Sequence, residues 1–161
     1  KQLGFEYDKN GELAEQGYIN TTLVEELNLL NYYHQPFPKS LGFEWVTDEF
    51  LTIVDKYDIS IEDKLRSCVE HFVIQIKNTF ASYDINNVLI TGGGVRNSFF
   101  INRLRELSTV EIIIPIDNLI DFKEALIFAF LGYRRVYNEI NCLASVTGAS
   151  KDHSSGIIYS L

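Results

Sequence analysis

The residues best placed to do chemistry are Val88-Leu89-Ile90-Thr91-Gly92-Gly93-Gly94-Val95-Arg96-Asn97. An apolar run that reads as a strand leads into three consecutive glycines. Asn97 follows as an N-cap residue ahead of Ser98-Phe99-Phe100-Ile101-Asn102-Arg103-Leu104, which opens a helix with one apolar face. A glycine turn brings a ligand against bare backbone, and a helix N-terminus supplies free N–H groups and partial positive charge. That combination suits a phosphate or ribose-phosphate edge, with Gly92, Gly93, Gly94, Asn97 and Arg96 as the candidate contacts. The plainer reading is a tight strand-to-helix turn in which glycine serves only backbone geometry. The spacing is not the G-x-G-x-x-G of a dinucleotide-binding turn, and no acid ends the following strand.

Two further stretches have ligand-binding character. Lys39-Ser40 sits in the loop Tyr32-Tyr33-His34-Gln35-Pro36-Phe37-Pro38-Lys39-Ser40-Leu41-Gly42, where prolines can aim a lysine at an anion. Thr147-Gly148, within Ser145-Val146-Thr147-Gly148-Ala149-Ser150, offers hydroxyl and backbone donors to a sugar or phosphate, and reads equally well as a solvated turn. His34 has no second ligand at metal spacing, and His71 falls beside a helical core stripe, so neither implies a metal site. Asp117, Asp121 and Glu124 read as helix caps and solvated faces.

These residues need elements to position them. Residues 1–17 are turn-rich around Tyr7-Asp8-Lys9-Asn10-Gly11, with one helical turn at Leu13–Gly17. Asn20 caps a helix to about Asn31 whose inner face carries Leu23, Leu27 and Leu30. Thr47-Asp48-Glu49 caps a helix through Tyr57. Ser60 and Asp63 form a capping box for the longest helix, to about Tyr83, with a core stripe of Ile61, Leu65, Cys68, Phe72, Ile76 and Phe80, widened by Val69 and Val73, that is expected to pack on a sheet. Strands at 88–91 and 110–115 flank the helix from Asn97 to Leu107. Both strands are continuously apolar, as expected when two faces are covered, and the helix between them implies parallel pairing. A further helix is expected from Asp121–Glu124, with Ala125, Ala129 and Gly132 permitting a close neighbour. A short strand is expected at Gly156–Ser160. The class is α/β, with too few strands for so many helices.

The 161 residues carry a formal charge of −8, with acids spread along the chain. No basic stripe exists to displace counterions from nucleic acid, and no apolar run reaches the ~18–20 residues of a membrane helix. Two cysteines without paired spacing read as reduced thiols of a cytoplasmic protein. The chain contains no methionine, which together with the shortage of strands suggests a piece of a longer protein. An open sheet edge would recruit another chain, so a homo-oligomer is expected.

Taken together, several stretches resemble the anhydro-N-acetylmuramic acid kinase family: Tyr7-Asp8-Lys9-Asn10-Gly11, Pro38-Lys39-Ser40, Leu89 to Asn97, Glu124-Ala125, and Ser145-Val146-Thr147-Gly148-Ala149 before Gly156-Ile157-Ile158. They run in family order over almost the whole chain. The resemblance implies a ribonuclease-H-like fold of the actin, sugar-kinase and heat-shock-chaperone group, with residues 1–161 as a C-terminal part of its second lobe. It implies an enzyme that uses ATP and magnesium with water to open the anhydro ring of the sugar and phosphorylate its 6-oxygen, in peptidoglycan recycling. The glycine turn would be the adenosine site. The first phosphate loop, the catalytic aspartate and the magnesium ligands would lie upstream, leaving this chain alone inactive. The family pattern of two prolines before the lysine, and Thr-Gly-Arg-Glu after the serine, departs here to Phe37-Pro38-Lys39-Ser40-Leu41-Gly42-Phe43-Glu44. Gly-Asn-Leu-Pro before Ser-Val-Thr-Gly likewise becomes Ile140-Asn141-Cys142-Leu143-Ala144. The competing class is a non-catalytic module that binds nucleotide or assembles with itself.

Overall fold

A computed structural model describes residues 4, 6–36 and 39–159. Lys1-Gln2-Leu3, Phe5, Phe37, Pro38 and Ser160-Leu161 lie outside the described residues. These include the proline before Lys39 and the end of the expected C-terminal strand. The protein is α/β, mostly helical, with one small parallel sheet. It divides into two compact units, Lys1–Ile90 with Gly94–Ile114, and Thr91–Gly93 with Pro115–Leu161.

The first unit is built on α6, Ile61–Ser82, with α1 (Glu12–Gln16), α2 (Thr21–Asn28) and α7 (Ser98–Leu107) packed along it. Its ends follow local rules. Asn20 accepts a hydrogen bond from the Leu23 N–H at the start of α2, and Ser60 accepts from Asp63 N–H at the start of α6. The capping box is only half made. The Asp63 carboxylate turns away to accept from Tyr18 N–H at 2.6 Å, so it anchors the entry to α2 instead. The strands β1 (Asn87–Leu89) and β2 (Glu111–Ile113) pair in parallel through the α7 crossover, Val88 opposite Ile112. Both are shorter than the apolar runs suggest. Their outer residues are exposed, Leu89 and Ile113 among them, so the expected cover on both faces is not found.

One core joins Ala14, Val69, Val73, Phe80, Phe99 and Leu104; a second joins Leu23, Leu27, Leu30, Phe50 and Val54. Each fully buried leucine of the set (Leu23, Leu27, Leu104) contributes roughly 2–3 kcal/mol of transfer free energy. The most buried line of α6 lies to one side of the expected stripe, along the Val69 and Val73 that widen it. Val69, Val73 and Phe80 are its buried apolar positions, whereas Leu65, Cys68 and Ile76 are half-buried and Phe72 is exposed. Val69, Val73 and Phe80 share a core with Phe99 and Leu104 of α7, against which Val88 and Ile112 of the strands pack, and α1 and α2 also lie along the helix.

The loop after α2 is more regular than its prolines suggest. It contains a helical turn, α3 (Asn31–His34), and continuous helix resumes at α4 (Phe43–Trp45), passes through a π turn at Val46–Phe50 and ends as α5 (Leu51–Lys56). Thr47 is therefore not a cap; its hydroxyl donates to Glu44 O inside the helix. His71 is fully buried among Tyr33, Phe50 and Phe72. Asn28 Oδ1 accepts from Gln75 Nε2 at 2.8 Å and from His71 Nδ1 at 2.7 Å, so His71 Nε2 accepts the Tyr33 hydroxyl at 2.9 Å.

Burial lowers the His71 pKa to about 4 and pushes Tyr33 up to about 12. Because the unfolded histidine titrates near 6.5, the unfolded chain binds a proton between about pH 6.5 and 4 that the native ring refuses. Stability is therefore complete above pH 6.5 and falls as the pH drops, by about 3 kcal/mol at pH 4 from this group alone. Urea denaturation at pH 7, 5.5 and 4 is expected to show this slope, and to show a shallower one for His71→Gln; equal slopes would contradict the assignment.

The second unit holds α8 (Asp117–Val136), a tail and α9 (Ala144–Thr147). The helix begins before the expected Asp121–Glu124 cap, because Pro115 ends the strand and Ile116 O accepts from both Leu119 and Ile120 N–H. Ala125, Ala129 and Gly132 face no close neighbour; a Cβ on Gly132 would meet nothing within 4 Å. The strand expected at Gly156–Ser160 is absent over its described residues. An isolated antiparallel bridge, Cys142 with His153, is the tail's only pairing among the described residues. Ile157, Ile158 and Tyr159 have β propensity, but the structure gives them no strand to join.

Candidate functional site

The glycine run lies where the chain passes out of the first unit and back. Pairing continues past β1, with Ile90 N–H donating to Ile113 O at 3.0 Å. Gly92 has φ +86°, in the left-handed region, so a turn residue without Cβ is required there. Gly93–Arg96 forms a single 3₁₀ turn. Neither Gly93 nor Gly94 has positive φ, and a Cβ at either would meet nothing within 4 Å. The fold demands glycine at 92 alone; at 93 and 94 glycine leaves uncovered backbone.

On the first-unit side, Val95 is buried and pins the turn, Arg96 is exposed, and the Asn97 side chain accepts from Phe100 N–H at 2.9 Å. This is the cap expected from the sequence. A brace not expected from it stands behind. The Asp8 carboxylate accepts from Leu13 and Ala14 N–H, capping α1, while Ser98 Oγ donates to Asn10 O at 3.2 Å. Gly11, at φ +78°, lies so close that a Cβ there would collide with Asn97 Oδ1 and sit 2.7 Å from Phe99 Cβ. The Tyr7–Gly11 stretch, which reads as a simple turn, thus sets the position of the α7 N-terminus. The signal was its order of residues, Asp ahead of Asn-Gly, which suits a cap followed by left-handed backbone.

Beneath Gly94 and Asn97 the first unit has an open apolar cleft of about 600 Å³. Leu65, Cys68, Phe72 and Ile76 of α6 form one wall, with Phe100 of α7 among the other lining residues. These α6 residues belong to the stripe that periodicity assigned to the core. Burial pushes the Cys68 thiol up to about 11, so it is protonated and unreactive at neutral pH.

The other candidates serve local structure. Lys39 Nζ donates to Tyr32 O at 2.8 Å and Tyr33 O at 3.4 Å and stands over the Tyr32 ring, closing the end of α3; an anion would compete with these carbonyls. Ser40 is exposed. Thr147 Oγ1 donates to Leu143 O at 2.9 Å, and Gly148 N–H donates to Ala144 O, so both finish α9, with Asp152 accepting from Ala144 N–H at its start. Lys39, Ser40, Gly94, Arg96 and Asn97 belong to the first unit, and Gly92, Gly93, Thr147 and Gly148 to the second. Within the second unit Lys123 Nζ donates to Thr91 Oγ1 at 2.6 Å, steadying the residue before Gly92. Among the described residues no group of three or more His, Cys, Asp or Glu is placed to hold a metal ion, and no helix is long and apolar enough to cross a membrane.

A parallel strand pair joined by a helix, with a glycine-rich turn into that helix, defines an α/β protein. The model of the anhydro-N-acetylmuramic acid kinase family matches residues 1–161, and the chain belongs to that family. Anhydro-N-acetylmuramic acid kinase from Sulfurovum sp. (strain NBC37-1) is 34% identical over 156 residues, covering 95% of this chain and 43% of the relative. The protein of that name from Vibrio parahaemolyticus is 32% identical over 167 residues, covering 99% of this chain and 45% of the relative. The one from Mannheimia succiniciproducens is 33% identical over 170 residues, covering 97% and 45%. The chain thus spans less than half the length of the curated relatives it matches.

Proposed function

We propose that this chain is the nucleotide-binding C-terminal part of a cytoplasmic kinase that uses ATP and water to open 1,6-anhydro-N-acetylmuramic acid and phosphorylate its 6-oxygen. The fold proposed for it is part of a ribonuclease-H-like second lobe. The observation that carries the nucleotide role is the pair Gly93 and Gly94, which no backbone angle or packing contact among the described residues requires. Glycine there keeps side chains away from whatever approaches, and Gly92, Gly93, Gly94, Arg96 and Asn97 are the proposed contacts. Phosphoryl transfer depends on positioning and electrostatics around the transferred group. The share of this chain is to hold the adenosine end, while the base, the magnesium ligands and most sugar contacts are assigned to the remainder of the kinase.

Two measurements on the purified chain test this. Incubation with ATP, magnesium and the anhydro sugar is expected to give no ADP; sugar-dependent ADP release would overturn the assignment of the catalytic groups elsewhere. Titration with a fluorescent ATP analogue is expected to show binding that Gly93→Val weakens by about tenfold or more, since a branched side chain then occupies the approach. An unchanged Kd, or no binding by the unsubstituted chain, would remove the glycine run from the site.

A further inference from the structure

Arg66 of α6 is a cation that passes over two acids. Glu62 and Glu70 stand four residues before and after it on the same helix, the spacing at which an arginine and a carboxylate ordinarily pair. Among the described residues it pairs with neither. Both oxygens of Glu70 accept from Arg103, and no ion pair joins Arg66 to Glu62. The guanidinium lies instead over the Phe99 ring, its carbon 4.7 Å from the ring centre. Stacking on an aromatic face is favourable but satisfies no N–H. The Arg66 Nε is shielded from water and meets no acceptor, while the residue as a whole is half-buried and its two Nη groups reach the surface. A charged group with an unmet buried donor is costly to keep, and in a native fold it calls for an explanation.

Its position suggests one. α6 and α7 lie side by side, with Arg66 over Phe99 and, one turn further on, Glu70 against Arg103. Arg66 is thus level with the first turn of α7. There the Asn97 side chain takes the Phe100 N–H, and the N–H groups of Ser98 and Phe99 have no acceptor within the helix. The Asp8 carboxylate beside this turn is committed to Leu13 and Ala14 N–H. Two positive features, a guanidinium and a helix N-terminus, therefore stand at one level with no acid assigned to them. A planar guanidinium receives an oxyanion on two parallel donors. A carboxylate would bring Arg66 nothing that Glu62 does not already offer. A phosphate brings more charge, and further oxygens for the helix end.

We infer that Arg66 is an oxyanion-binding residue, and that a phosphate group held on its Nη donors beside the first turn of α7 is the partner that its own helix withholds. A nucleotide phosphate and the free phosphate ion share this chemistry. The first source rests on the nucleotide reading of the glycine run; the second does not.

The test follows the arginine Nε–H signals of the isotope-labelled 161-residue chain by nuclear magnetic resonance, with Arg66 assigned by the signal lost in Arg66→Lys. The titrants are inorganic phosphate, AMP, adenosine and sodium chloride at matched ionic strength. The Arg66 signal is expected to move saturably with phosphate or AMP and to stay in place with adenosine and chloride. Arg66→Lys, which keeps the charge but loses the fork, is expected to weaken the Kd read on the Ser98 and Phe99 amide signals by about fivefold or more. Movement by AMP that Gly93→Val abolishes assigns the phosphate to a nucleotide. Movement by inorganic phosphate that Gly93→Val leaves unaltered assigns it to the free ion, and the inference then stands even where the glycine run binds nothing. An Arg66 signal unmoved by both phosphate and AMP would overturn it. So would a shift reproduced by chloride or adenosine, or an unchanged Kd in Arg66→Lys.

Discussion

Gly11→Ala is expected to destabilise the first unit by about 2–5 kcal/mol, combining a left-handed penalty of ~1–2 kcal/mol with an overpacking cost of ~1–3 kcal/mol. Two causes act at one atom. The backbone at Gly11 has φ +78°, where a Cβ meets its own carbonyl, and the new methyl would also press on the Asn97 amide and on Phe99 Cβ. The amide could rotate away only by giving up the Phe100 N–H that it caps. Phe99 Cβ moves only with the helix backbone, and Phe99 is buried in the core, so the first turn of α7 must shift. Gly92→Ala provides the comparison, since it has a similar φ of +86° but open space around its Cβ. Urea denaturation of both variants separates the backbone penalty, common to the two, from the crowding that only Gly11 carries. Equal losses would show that the brace on α7 does not exist. The same substitution is expected to weaken nucleotide-analogue binding, because it displaces the helix end on which the proposed site rests.

The sequence made some of this architecture legible and hid the rest for identifiable reasons. Caps at Asn20, Ser60 and Asn97 were readable because each is a local hydrogen bond within three residues. Parallel pairing of β1 with β2 followed from the helix between them. On α6, Val69, Val73 and Phe80 were readable as core, but which side of so wide a stripe is most buried depends on the elements packed against it. The start of α8 was missed because its apolar residues surround the helix and give no period. Ile157-Ile158-Tyr159 has strand propensity, but a strand forms only against a neighbour. At the site, the glycine run was visible as composition. That Gly93 and Gly94 are dispensable to the fold, while Gly11 is not, depends on contacts between segments more than eighty residues apart.

Arg103→Ala is expected to cost about 3–5 kcal/mol, the range for breaking a buried pair by removing one partner. Arg103 of α7 reaches Glu70 of α6 with NH2 at 2.9 Å from both carboxylate oxygens and Nε at 3.2 Å from one, and its NH1 also holds Glu106. The Arg103 and Glu70 side chains are 18% and 11% exposed, so water cannot replace what is lost. Burial opposes the Arg103 charge, yet hydrogen bonds to Glu70 and Glu106 outweigh it and hold the guanidinium above its ordinary pKa. Truncation leaves the Glu70 carboxylate facing an apolar helix contact with no donor of comparable strength. If the cost is that of an orphaned charge, Glu70→Met with Arg103→Met together should recover most of the stability, since an apolar pair of similar volume pays no desolvation. If the cost is lost packing by the arginine stem, the double variant should be no better than Arg103→Ala. A double-mutant cycle by urea denaturation distinguishes the two. Recovery would establish that the pair fixes the register of α7 on α6 more than it stabilises the contact, and α7 is the helix whose N-terminus carries Asn97 and follows the glycine run.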